Sequence, residues 1–170
     1  MSTWPIPDRT SPAQVLGERD SLDAWVDYHR ATLLLKCAGL EPEQLTSRSC
    51  PPSTLSLLGL VRHLTEVEGW FHDFDGALPG EWYSTEEDPD ACFDAVDPSR
   101  AEEDLEAYRA SVERARDAVK GRTLDEISPE PDDGQPVSLR WIYLHMVEEY
   151  ARHNGHADLL RERIDGPTGD

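Results

Sequence analysis

Between Glu148 and Leu160 the chain reads EEYARHNGHADLL, which gathers two glutamates and two histidines into nine residues, Glu148 to His156. Carboxylate oxygen and imidazole nitrogen are ligands of divalent cations such as zinc. Glu149 and His153 stand at i and i+4, so on a helix they lie one above the other on the same face and can point at one centre. The same stripe carries Ile142, His145 or Met146, and further on His156 and Leu160, so it is apolar at both ends and polar in its middle. Burying a carboxylate and imidazoles without partners costs several kcal/mol (about 2–7 for each polar group). A cation removes that cost. His63, in an otherwise apolar segment, offers a third ligand from across the core. Two histidines and one carboxylate leave a coordination position open for water or substrate, as catalytic zinc sites do.

Other readings of these residues stay open at this level. A Glu–His pair at i, i+4 is also a common surface contact worth a few tenths of a kcal/mol, roughly 0.2–0.5. His145 competes for the metal, because His145, Glu149 and His153 form a continuous row. Residues i and i+8 lie about 12 Å apart along a helix, so His145 and His153 cannot both reach one small ion. His29 and His156 read as core groups or as hydrogen-bond partners of a ligand. His72, beside Asp73 near a helix end, reads as a solvated residue. Cys37 reads as a small buried hydrophobe. Cys50 and Cys92 fall in loops with no basic neighbour to activate a thiol. Trp70 and Phe71 read as core, with the option of lining a pocket.

Four segments with helical periodicity must position these groups. The first lies within roughly 12–38. It carries Ser11, Pro12 and Gln14 as a start signal, a face of Trp25, His29, Leu33 and Cys37, and Gly39 as a stop. A short helical turn at EPEQL follows. The second segment begins after CPPS, runs to about Phe74 and contains His63. The third begins at Ser99 with Glu102 as capping partner, and Leu105, Tyr108, Val112, Ala115 and Val119 form its seam. The fourth has Ser138 as N-cap and stops before Gly166. No segment alternates as a strand does. The expected architecture is an all-α, up-down four-helix bundle spanning residues 1–170 as one domain. A long acidic connection, Gly76 to Pro98, joins the second and third helices and carries Trp82, Tyr83 and Phe93, which would pack it over the bundle.

Composition removes several function classes. The chain has 35 acidic and 16 basic residues and a formal net charge of −19. Nucleic-acid binding requires Lys and Arg to neutralise phosphates, so that charge argues against it, and it also argues against anionic membranes. No apolar run approaches the ~20 residues that span a bilayer. The N-terminal MSTWPIPDRTSP lacks the basic and apolar regions of a signal peptide. The three cysteines form no CxxC pair. A reduced, cytoplasmic location is the simplest expectation.

The sequence resembles the DinB-like superfamily of metal-binding four-helix bundles, and within it the actinobacterial mycothiol-dependent transferase-like branch. The segments that carry the resemblance are DYHRATLLLKCAGL (27–40), STLSLLGLVRHLTEVEGWF (53–71), DPDACFD (88–94) and PVSLRWIYLHMVEEYARHNGHADLLRERIDG (136–166). The most specific feature is the order Glu, three residues, His, one residue, Gly-His within the last. The resemblance implies a divalent metal held by His63, Glu149 and His153, with water completing the site. Zinc is the first expectation, and nickel, iron and manganese accept the same donors. Many relatives have histidine at the position of Glu149; the mycothiol-dependent maleylpyruvate isomerase type is similar to this chain in having glutamate. The resemblance further implies mycothiol as co-substrate, its thiol deprotonated on the metal and its sulfur attacking a small-molecule electrophile. A homodimer is implied as well. The residues by themselves also fit a non-catalytic metal- or ligand-binding dimeric bundle, or a metal-assisted isomerase or hydrolase.

Overall fold

The computed structural model describes residue 4, residues 6–72, residue 74, residues 83–128 and residues 136–168. Asp73 and residues 75–82, Trp82 among them, lie outside the described residues. Among the described residues the structure is helical: α1 (Glu18–Cys37), α2 (Pro42–Leu45), α3 (Leu57–Val67), α4 (Gly69–His72), α5 (Ala91–Asp94), α6 (Ala101–Ala118) and α7 (Leu139–Asp165). The sole extended pairing described is an isolated antiparallel bridge between Ile127 and Ser138. No described helix is long and apolar enough to cross a membrane.

The core is built where apolar faces meet. α7 lies along α1 and also touches α3, while α3 packs against α6 and α5. Leu57, Leu60, Val61 and Leu64 of α3, Leu105, Tyr108 and Ala115 of α6, and Ile142, Met146, Tyr150 and Leu160 of α7 are all buried in one cluster. Met146, and not His145, is the buried residue of the α7 stripe, which continues through Glu149, His153, Ala157 and Leu160.

Helix ends follow local chemistry, with three departures from expectation. Ser138 caps α7 by accepting the Trp141 amide at 3.2 Å, and Gly166 ends it in the left-handed region at φ 96°. Replacing Ser138 with Ala is therefore expected to lower stability by about 1 kcal/mol, read as a lower urea midpoint with an unchanged slope. The expected start at Ser11 is not used. α1 begins at Glu18 after an extended Gly17, because Val15 and Leu16 are exposed and no burial rewards helix there. Ser99 is not the cap of α6: Asp97 accepts the Ser99 amide at 2.8 Å and starts a 3-10 turn, Pro98–Arg100, from which α6 continues. The second segment is broken at Glu68, which turns α4 towards α6. That break corrects the expectation for His72. Its side chain is buried, with Nε2 3.2 Å from the Ser111 carbonyl oxygen.

The inward face of α1 is rotated from the expected one. Val26, Arg30, Leu33 and Cys37 are buried, whereas Trp25 is exposed. Arg30 occupies the inward position because Glu68 waits there. Its Nε and Nη2 donate to the two Glu68 oxygens at 2.8 and 2.6 Å. The Tyr150 hydroxyl donates to the same carboxylate at 2.6 Å, so the Tyr108 hydroxyl, 2.8 Å away, donates to Tyr150. Arg30 also binds Asp27, which accepts a further bond from Arg116. A buried ion pair with two tyrosines thus joins α1, α6, α7 and the α3–α4 break. Burial and the Glu68 charge drive the Tyr150 hydroxyl well above its ordinary pKa, and Glu68 holds Arg30 protonated.

Candidate metal centre

α3 and α7 bring the three predicted side chains together. His63 lies on α3 two turns after the Ser56 cap, whose hydroxyl accepts the Gly59 amide at 3.1 Å. On α7, Glu149 and His153 sit one turn apart on the inward face, both buried. Glu149 Oε2 is 3.4 Å from His63 Nε2 and 3.4 Å from His153 Nε2. The two imidazole rings stand edge to face, centroids 4.6 Å apart. All three donor atoms lie within 4.8 Å of one another. Ligand atoms 2.0–2.2 Å from a tetrahedral centre are roughly 3.3–3.6 Å apart. Both carboxylate–imidazole contacts have that size, so Glu149 is spaced from each imidazole as two ligands of a zinc-like ion would be.

The groups around the trio hold it in place. The second oxygen of Glu149 is ion-paired with Arg152 Nη1 at 3.0 Å, which leaves Oε2 turned to the imidazoles. His156 Nδ1 is 3.4 Å from His153 Nδ1, so one ring can fix the tautomer of the other and leave His153 Nε2 as the free donor. Asn154, next along α7, donates to the His29 carbonyl oxygen at 3.1 Å and tethers α7 to α1. His29 therefore belongs to that helix contact.

His145 is drawn elsewhere. Its ring stacks on Trp141 with centroids 5.0 Å apart and meets Trp70 edge to face at 5.1 Å. Together with Glu148 and Glu149 it forms a second group of potential ligands, and His63, Glu66 and Cys92 form a third. Neither is as well prepared. Glu148 is exposed. Glu66 already accepts the Tyr83 and Ser84 amides at 2.6 Å each and the Ser84 hydroxyl at 2.9 Å. Cys92 lies in the short helix α5 and is buried, which pushes its thiol up to about 11. Cys37 is buried as expected, its thiol pushed up to about 12. Phe71 is core, packed against Tyr143.

Charge prepares the site for a cation. Burial, and then the neighbouring His63, bring His153 down from 6.5 to about 4, against the opposing pull of Glu149. At neutral pH its nitrogen lone pair is available. Burial also lowers His29 and His145. The unfolded chain protonates His153 near 6.5 and the folded chain only near 4, so between those values the unfolded state binds more protons. In metal-free protein, stability should fall as pH drops through that window and level off below it. His153→Gln, with His63, Glu149, Arg152 and His156 unchanged, should make the profile shallower, the remaining slope coming in part from His29 and His145. Urea denaturation at three pH values across the window measures both slopes.

Arg30, Glu68, Tyr108 and Tyr150 were not singled out in the sequence as a unit. The signal was available in one of them: Glu68 is a carboxylate inside a heavily apolar segment, the same anomaly that marks Glu149.

The family model described as Mycothiol-S-transferase matches residues 21–166. No curated protein matches the chain.

Proposed function

The chain belongs to the mycothiol-S-transferase family, and on that premise we propose that it is a metal-dependent thiol S-transferase acting on a small electrophile. His63, Glu149 and His153 are the ligands in this reading, on an up-down four-helix bundle formed by α1, α3, α6 and α7. The observation that carries it is the pair of 3.4 Å contacts made by one buried Glu149 oxygen to two imidazole nitrogens. Zinc is the metal these donors suit first, and mycothiol is the thiol that the family name supplies. When bound, the metal would lower the pKa of a coordinated thiol and make its sulfur nucleophilic near neutral pH.

The chain's own residues do the rest. Burial keeps His153 neutral, so it donates a lone pair and not a proton. Glu149 supplies one negative charge against the metal's two, and Arg152 fixes its orientation. His156 sets the His153 tautomer from the far side of the ring. The acidic net charge of −19 disfavours phosphate-rich partners and leaves small molecules as the fitting substrates. A homodimer belongs to the same reading; exposed Trp25, Trp141 and Leu144 on α1 and α7 are the apolar residues that a second copy would cover. So does a cytoplasmic location, which suits the three free cysteines.

The test is a metal assay on purified protein followed by conjugation of mycothiol to a generic electrophile. Stoichiometric metal and a rate that needs both metal and thiol are expected. Metal-independent conjugation, or equal metal content in wild type and a His63→Ala/His153→Ala variant, would sink the reading.

A further inference from the structure

Three residues on successive turns of α3 tie down the segment that reaches the site from the long connection. Arg62, immediately before His63, donates to the Ala91 carbonyl at 3.1 Å and also to the Ala95 carbonyl. Its guanidinium lies 4.2 Å above the Tyr83 ring centroid. Glu66, one turn beyond Arg62, holds the Tyr83 and Ser84 amides at 2.6 Å each. Gly59, one turn before His63, permits close approach: a Cβ there would stand 3.2 Å from Phe93 Cα. Segment 83–95 is therefore fixed to α3 at both ends and in its middle.

Phe93 sits between these anchors. Its ring is tilted 32° to His63 with centroids 4.9 Å apart, and its centroid is 6.4 Å from that of His153. Ala91 and Cys92 of the same short helix are buried, but Phe93 is only partly so. Of the three candidate ligands, His63 is the one that solvent reaches. Its side chain is 24% exposed, against 9% for His153 and 10% for Glu149. Solvent therefore meets the cluster at His63, beside the partly buried Phe93 ring.

From this juxtaposition we infer that Phe93 is a positioning residue, the wall against which a planar, apolar electrophile lies beside His63. The inference rests on the transferase reading for the reaction served, but the contact itself does not need the metal. A phenyl ring offers neither proton nor charge, so its contribution is contact with a flat unsaturated group, held in orientation close to the reacting centre. A small saturated or aliphatic electrophile gains little from it. The clamp makes the wall rigid, because Arg62 and Glu66 fix the backbone on either side of Phe93.

The experiment uses the full-length protein and an inert flat probe, 2,4-dinitroaniline, in equilibrium dialysis with metal-free and zinc-loaded protein. Phe93→Ala is expected to weaken probe binding about tenfold in both forms, and Phe93→Tyr to restore it. Zinc stoichiometry should be that of the wild type, and the melting temperature should fall, since Phe93 packs against the core, with the protein still folded at the assay temperature. In turnover with mycothiol, Phe93→Ala should raise KM for 1-chloro-2,4-dinitrobenzene about tenfold with kcat little changed, and raise KM for acrylamide far less. Equal probe affinity in wild type and Phe93→Ala, or no probe binding by the wild type at millimolar concentration, overturns the inference. So does loss of zinc or of folding in Phe93→Ala alongside weaker binding, since the residue would then be structural. A wild type that binds the probe through Phe93 but neither takes up metal nor conjugates thiol defeats the transferase reading and leaves the Phe93 contact standing.

Discussion

Glu68→Leu is expected to destabilise the protein by about 3–5 kcal/mol, the cost of leaving a buried charge without its partner. Arg30 would retain only Asp27, and the Tyr150 hydroxyl would lose its acceptor. Domains of this size are stable by roughly 5–15 kcal/mol, so the loss takes a large share. The reason is asymmetry. A buried ion pair adds little over an apolar pair of the same shape, but removing half of it strands the other half. The double variant Arg30→Met/Glu68→Leu should therefore recover most of what the single variant loses, short of the hydrogen bond that the Tyr150 hydroxyl gives to Glu68. Urea denaturation at neutral pH measures both. A Glu68→Leu variant within 1 kcal/mol of wild type would mean that water reaches Arg30 and that the network is not the closed unit its geometry describes.

The second large effect concerns metal. His153→Ala should abolish stoichiometric binding and weaken affinity by at least about a hundredfold, more than loss of an outer partner costs. His145→Ala should keep the metal, since its ring is held between Trp70 and Trp141. His72→Ala should also keep it, although the buried His72 makes that variant less stable. Titration of the three variants with zinc, followed by a competing chelator, separates them. If His145→Ala loses metal and His153→Ala keeps it, the centre moves to the His145–Glu148–Glu149 group and the open position moves with it.

Much of this architecture was legible because it is written in periodicity and caps. The α6 seam from Leu105 to Val119 and the Ser138 start of α7 are local signals, and both stand in the structure. The juxtaposition of His63, Glu149 and His153 was legible because polar groups on a core-facing stripe need an explanation. What was not legible depends on partners distant in sequence. The inward turn of α1 is set by Arg30 meeting Glu68, so no window on α1 alone chooses Arg30 over His29 for the core. The burial of His72 follows from the break at Glu68, a tertiary event within an unbroken apolar pattern. The capping of α6 failed by two residues because Asp97 and Ser99 are both competent caps and Pro98 favours the earlier one.

Glu149 and Tyr150 are neighbours on α7, so their side chains leave the helix about 100° apart. One faces His63, and the other is fastened to Glu68 at 2.6 Å. That fastening acts as a rotational stop. Turning α7 by 10° would carry an atom 6 Å from its axis through roughly 1 Å, more than the half-ångström tolerance of a well-made ligand set. The hydrogen bond from Tyr150 would break before the Glu149 oxygen had moved that far. The angular setting of two of the three candidate ligands is thus locked from an adjacent face of the helix. In amide hydrogen exchange the turn from Glu149 to His153 should consequently be among the last to open, and Tyr150→Phe should loosen it without touching any residue of the site.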